Sequence, residues 1–250
     1  MSTLVPFSRT SLPRSRFFSA ALDRAIPGRS ATRRGLATLC ALITLAVVAA
    51  VSATPALAEK VTRRLDQSYF VGSATELEID LILGSLEVRG SDDGRNVTVE
   101  LILTCSRDDD AKCQRRANRI VLEPRISGNK LALRLDGTAR GQAGGIQAEM
   151  IVRSPRDLTL EIDLAGGNVL VEGMRSHVEI DSGGGDVDFV GSQDAVKTFK
   201  ADVGFGVAHL WLRDSKVEAS GFPRSITWRG SGTAEVEIDL GGGNMNARLE

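Results

Sequence analysis

The chain is short of the residues that most enzymes work with. Its 250 residues include two histidines, His177 and His209, and three cysteines, Cys40, Cys105 and Cys113. The two histidines are separated in sequence, and His209 alternates within an apolar run, so each reads as an ordinary surface or strand-packing residue. There is no glycine-rich loop ending in Lys-Ser or Lys-Thr to cradle a phosphate, and no Gly-x-Ser-x-Gly elbow to present a nucleophile. Aromatic residues make up only 4% of the chain, against 26 glycines. A broad core packed by rings is disfavoured, and thin, repetitive β-structure fits better.

A basic footprint is also missing. Residues 1–58 hold seven basic residues and one acidic one, which leaves 24 basic and 31 acidic from Glu59 onward, a net charge of −7. That excludes the electrostatics expected of a nucleic-acid binder and disfavours long-range attraction to anionic lipid or polysaccharide. The leader itself is distinctive. Gly35 to Ala53 is apolar and uncharged, follows Arg33-Arg34 and precedes the small-x-small site Ala56-Leu57-Ala58. This is the order of a secretory signal peptide, so residues 1–58 are expected to be an upstream extension and a cleaved signal, with no stable membrane insertion afterwards. The alternative is an uncleaved N-terminal anchor, since the run is just long enough to span. Thr32-Arg33-Arg34 is too incomplete a twin-arginine signal to fix a translocation route.

What is abundant is one phrase, repeated. Leu160-Glu161-Ile162-Asp163-Leu164-Ala165-Gly166-Gly167-Asn168-Val169 returns as Val178-Glu179-Ile180-Asp181-Ser182-Gly183-Gly184-Gly185-Asp186-Val187, and again as Val236-Glu237-Ile238-Asp239-Leu240-Gly241-Gly242-Gly243-Asn244-Met245. A weaker copy opens at Leu77-Glu78-Ile79-Asp80. In each copy a short alternating strand ends in Asp, a glycine turn follows, and Asn or Asp leads into a second short strand. With Asp202 the anchors fall at 163, 181, 202 and 239. The last gap is two units long, which places a degenerate unit around Lys216–Trp228. Such units must stack to bury a continuous core. They leave no room for a crossover helix, which parallel strands otherwise need. The expected fold is therefore all-β: a parallel β-solenoid or β-helix of short Gly-rich repeats over 158–250. A more irregular N-terminal β region over 59–157 belongs to the same domain and is expected to pair antiparallel and cap one end of the solenoid. An antiparallel meander folded as a sandwich is the competing architecture.

Within 59–157, residues 59–76 read as a leading segment and Leu77–Arg89 as two short strands around Gly84-Ser85. Further strands are expected over 96–104, 120–123, 130–135 and 147–152 from their period-two alternation, with a short helix over Ala111–Ala117 behind the acids at 108–110. Cys105 and Cys113 flank that acidic stretch. In an exported chain a close, even pair is most simply a disulfide. A redox pair would sit closer together, and a zinc site would need more ligands than two distant histidines supply.

The glycines at 166, 167, 183, 184, 185, 241, 242 and 243 suit sharp corners that call for positive φ. Asp163, Asp181 and Asp239, with Asp202, are expected to stack at one corner and to cap its turns by bonding backbone N–H groups two residues on. Asn168, Asp186 and Asn244 would do the same on the far side. Ile162, Ile180 and Ile238 point inward with Val169, Val187 and Met245, and Glu161, Glu179 and Glu237 point outward. Repeated Asp with Gly-rich turns also suggests a calcium β-roll, but the nine-residue period is absent. No metal or cofactor is therefore assigned. Trp211, Phe222 and Trp228 are candidates for a sugar-binding face or for filling the core.

The repeated Glu-Ile-Asp-x-x-Gly-Gly-Asn/Asp-Val phrase behind a signal peptide resembles the bacterial β-strand-repeat proteins grouped as adhesins, over roughly residues 70–250. The resemblance implies a right-handed β-solenoid in the cell envelope and brings no catalytic residues. The chain departs from it at Gly204-Phe205-Gly206, where one turn residue looks missing, and at Lys216–Trp228. The expectation is thus a non-enzymatic, exported interaction module or adhesin, periplasmic or at the cell surface. Its partner would be an envelope protein or glycan, and self-association through an open C-terminal edge is a further option. The alternative is a polysaccharide-binding or polysaccharide-active β-helix protein.

Overall fold

The computed structural model describes residues 61–82, 84–105, 111–137, 145–219 and 222–250. The expected signal peptide lies outside the described residues, as do the acids at 108–110. The elements run β1 (Val61–Phe70), β2 (Glu76–Leu81), β3 (Gly84–Ser91), β4 (Asn96–Cys105), α1 (Ala111–Ala117), β5 (Val121–Ser127), β6 (Lys130–Asp136), β7 (Ile146–Pro155) and β8 (Thr159–Leu164). They continue as β9 (Gly167–Glu172), β10 (Val178–Ser182), β11 (Val187–Gly191), β12 (Val196–Leu212), β13 (Lys216–Glu218), β14 (Arg224–Arg229) and β15 (Ala234–Leu249). The protein is mostly β, with one short helix among the described residues.

The repeated phrase sets the register of the centre. β8 lies parallel to β10 with Ile162 beside Ile180 and Asp163 beside Asp181. β10 lies parallel to β15 with Ile238 and Asp239 continuing both rows. β2 extends the rows on one side through Ile79 and Asp80, and β12 on the other through Ala201 and Asp202. After the corner the same coils pair again: Leu86 beside Val169, Val169 beside Val187, Val187 beside Met245 and Met245 beside Ala208. Every member of the Ile and Val columns is at most 2% exposed. Burying one such side chain contributes about 1.5–3 kcal/mol, so the alternating positions hold the coils together while the Glu and Asp positions face out.

The sheet is mixed: antiparallel pairs were expected in 59–157, but the parallel pairing expected over 158–250 is not uniform. β1 with β4, β4 with β7 and β5 with β6 pair antiparallel at one margin. β13 and β14 pair antiparallel to β12 at the other. Short connections explain both. Gly128-Asn129, with Gly128 at φ +62°, closes a hairpin between β5 and β6. The turn in which Leu212 N–H donates to the Ser215 carbonyl at 2.8 Å reverses the chain after β12. The expected degenerate coil at Lys216–Trp228 is thus a returning pair of strands laid against β12.

Two further expectations are corrected here. The C-terminal strand is not an open edge: β15 lies between β10/β11 and β12, paired on both sides. Its last residue is pinned as well, Glu250 N–H donating to Gly191 at 3.0 Å and its carbonyl accepting from Gln193 at 2.8 Å. Among the described residues, the strands with one free side are β1, β5, β13 and β14. Nor does Gly204-Phe205-Gly206 lack a residue. Asp202 aligns with Asp239, Phe205 with Gly242 and Gly206 with Gly243 without a gap.

β1 falls in the stretch read as a leading segment. It forms because Leu65 and Tyr69 pack against the core while β4 supplies the pairing. Its Arg63 donates to the carbonyls of Ala117, Asn118 and Ile120 at 3.0, 2.9 and 2.8 Å. Those bonds satisfy acceptors that the end of α1 leaves open. Cys105 and Cys113 form the expected disulfide, with Cα atoms 6.0 Å apart, tying the end of β4 to α1.

Candidate functional site

The corner between the two strand sets is built from backbone. At its third position Gly84, Gly167, Gly185, Gly243 and Gly206 all adopt φ between +118° and +141°. A Cβ on Gly167, Gly185 or Gly243 would lie 1.7 Å from the carbonyl oxygen of the neighbouring coil's glycine, and one on Gly206 1.5 Å. Position one is also tight, since a Cβ on Gly183 or Gly241 would sit 2.5 Å from the next coil's carbonyl. The middle position is different. Gly184 and Gly242 have no positive φ, and their nearest contacts would be 3.4 and 3.8 Å. Phe205 occupies that middle position in β12.

Two columns of acids flank this corner on the outer face. One is Asp80, Asp163, Asp181, Asp239 and Asp202; the other is Glu78, Glu161, Glu179 and Glu237, ending at Lys200. Cations stand at both margins. Lys130 of β6 reaches Glu76, Glu78 and Glu161 at 2.6, 2.9 and 2.7 Å. Arg134 reaches Glu78 at 2.6 Å and Asp80 at 3.7 Å. On the other side Lys200 meets Glu237 and lies 3.4 Å from Asp202, which also accepts a hydrogen bond from the Ser225 hydroxyl. Among the described residues Asp163, Glu179, Asp181 and Asp239 form no ion pair, although Arg134 and Lys200 act on Asp163 and Asp239 from farther off.

Their protonation follows that placement. Hydrogen bonds from Arg134 and Lys130 hold Glu78 below the usual glutamate range, and Glu161, Glu76 and Glu78 push Lys130 upward. Asp163 is raised, first by burial and then by Glu161, Asp181, Asp80 and Glu78. Asp239 is raised by burial, with Asp181, Asp202 and Glu237 adding to it against Lys200.

The Asp residues do not act as turn caps: no backbone N–H donates to Asp163, Asp181 or Asp239 among the described residues. The far-side residues bond along the stack instead of within their own turns. Asn168 Oδ1 accepts the Asp186 N–H at 3.2 Å, and Asp186 Oδ1 accepts the Asn244 N–H at 3.1 Å and its Nδ2 at 2.9 Å.

The Asp column and the first corner residues line an open trough of about 580 Å³, to which Pro223 also contributes. On the same corner Phe205 and Phe222 are 69% and 68% exposed, their ring centroids 5.0 Å apart. Trp228 packs against the core. Trp211 lies instead beside His209, Lys216 and Arg248, at 5.1, 4.8 and 5.9 Å from its ring. Of the three rings singled out in the sequence, Trp228 thus fills the core and Phe222 is exposed; its neighbour Phe205 was overlooked because it seemed a defect of the turn. The cationic margin was missed too. Lys130 and Arg134 lie on one face of β6, but no sequence signal pairs β6 with β2. Among the described residues no three His, Cys, Asp or Glu side chains converge as metal donors, and no helix is long and apolar enough to cross a membrane.

No family model matches the chain, and no curated protein matches it. Solved structures do. A "putative cell adhesion protein" from Clostridium sporogenes is 13% identical over 75% of this chain and 100% of its own, with a TM-score of 0.43. A "putative adhesin" from Bacteroides fragilis is 13% identical over 74% and 97%, at 0.25. A "putative lipid binding protein" from Parabacteroides distasonis is 8% identical over 75% and 97%, also at 0.25. At these scores the likenesses decide neither fold nor activity for this chain.

Proposed function

We propose that the protein is an exported, non-enzymatic β-solenoid that serves as an interaction module of the bacterial cell envelope, an adhesin in the broad sense. The observation that carries this reading is the pair Phe205 and Phe222. Two large rings stand open to solvent beside a wide trough, at a corner where the neighbouring coils place glycine. Exposed apolar groups rimmed by polar ones mark contact surfaces. Coil-by-coil pairing on both sides of the corner supports the solenoid reading, with the antiparallel margins acting as its end caps. The apolar leader before Ala56-Leu57-Ala58 and the Cys105–Cys113 disulfide support export to an oxidising compartment.

A second reading is glycan recognition. Aromatic faces beside a row of carboxylates offer a sugar both a stacking platform and hydroxyl acceptors. One experiment serves both. The protein is screened against envelope glycans and purified envelope proteins, then retested as the double variant Phe205→Ser/Phe222→Ser. The expected result is a ligand whose affinity falls by about tenfold or more, or about 1.4 kcal/mol, with an unchanged melting temperature. Full binding by the double variant would remove this corner from the contact. Release of sugar fragments would replace the binder with an enzyme.

A further inference from the structure

The acid columns lie on strands that cannot move apart. Neighbouring coils are held at the strand spacing of about 4.8 Å, so their ionised carboxylates repel at short range. At the margins this repulsion is answered. Lys130 and Arg134 of β6 meet Glu78, Asp80 and Glu161, and Lys200 of β12 meets Glu237 and Asp202. Glu123 and Arg125 of β5 pair with each other at 3.0 Å. The row above holds His177 and the Lys197–Glu235 pair at 2.9 Å. In the middle, on β8, β10 and β15, no ion pair reaches Asp163, Asp181 or Asp239 among the described residues; Arg134 acts on Asp163 and Lys200 on Asp239 only through space, and Lys200 offsets part of the repulsion there.

We infer that the Asp column is a proton-governed joint in the stack: ionised, it strains the pairing of β8, β10 and β15, and protonated, it relieves that strain. The joint is independent of what the trough binds, so it stands or falls separately from the interaction reading. The raised protonation of Asp163 and Asp239 agrees with it. A carboxyl raised in the folded state opposes folding while ionised. That opposition is complete above its folded value and vanishes as pH falls below the ordinary aspartate value of 3.8. Glu78 has the opposite sign. Its contribution is present above its ordinary 4.5 and is lost as pH falls through its lowered value. The wild-type melting curve mixes both, so the difference between variants is the clean reading.

The test is a set of thermal melts of the purified protein and of Asp163→Asn, Asp239→Asn and the control Asp188→Asn. Asp188 is exposed on β11 and is flanked in register by Leu170 and Asn246, not by carboxylates. At about pH 7.5 each stack variant is expected to melt about 2–4 °C above wild type, a modest gain because the groups are largely solvated. The gain should shrink to nothing by about pH 3.5 and should be smaller in high salt. Asp188→Asn should show no comparable gain. Three results would overturn the joint: no gain at neutral pH, a gain that persists in acid, or an equal gain in Asp188→Asn, which would reflect net charge alone.

Discussion

Two glycine columns run through the corner one residue apart, and they obey different physics. The third-position column, Gly167, Gly185 and Gly243, has positive φ and no room for a methyl group. In the middle column Gly184 and Gly242 have ordinary φ, and Phe205 already replaces glycine in β12. One column is required by the close approach of backbone to backbone. The other leaves its side chains outside, where the chain has placed a large ring. The same letter in the sequence therefore marks both the least and the most replaceable position of the turn. Alanine separates them. Gly185→Ala should cost more than about 4 kcal/mol and leave little folded protein, whereas Gly184→Ala should melt within about 2 °C of wild type. Equal losses in the two variants would erase the distinction.

That contrast also shows how far the sequence can be read. The repeat made the central register legible because the same phrase recurs: Ile162, Ile180 and Ile238 do align, and so do Asp163, Asp181 and Asp239. Three consecutive glycines carry no mark of which one must turn, so Gly184 and Gly185 looked alike. The position of β15 was hidden for a related reason. Its phrase matches that of β10, but nothing in the sequence says that the chain reverses after Leu212, lays β13 and β14 against β12, and returns to fill the gap beside β10/β11. Order along the chain suggested an end where the sheet has a middle. The Asx residues were seen as turn caps because that is their usual local chemistry. In the stack, the next coil's N–H groups are closer partners.

The same comparison extends from the centre of the sheet to its margin. The coils hold by repetition, each inward column continuing through five strands. The β1–β4–β7 margin has no such repeat and is fastened by particular links: Arg63 on the carbonyls at the end of α1, and the Cys105–Cys113 disulfide. Reduction should therefore act on the margin. In the chain-entropy picture, opening a loop this short costs about 2–3 kcal/mol, a downward shift of roughly 4–12 °C for a domain of this size. Hydrogen exchange should locate the loosening in α1, β1 and β4, with β8, β10 and β15 still protected. Uniform loss of protection would mean that margin and centre unfold as one unit.

The smallest effect tests whether the Asx ladder belongs to the centre's design. Asp186 accepts two bonds from Asn244, one from its N–H and one from its side chain, while its own N–H donates to Asn168. Asp186→Ala removes the side-chain acceptor but leaves the Asp186 N–H bond to Asn168 in place. The loss should be about 1 kcal/mol, because the site is exposed and water can replace the missing acceptor. Asp186→Asn should recover most of it, since an amide oxygen can accept the same Asn244 N–H. Recovery by Asn would identify hydrogen bonding between coils as the role of this row. Equal losses in Ala and Asn would point to the charge of Asp186 instead, and the far side of the corner would then follow the same electrostatic logic as the Asp column.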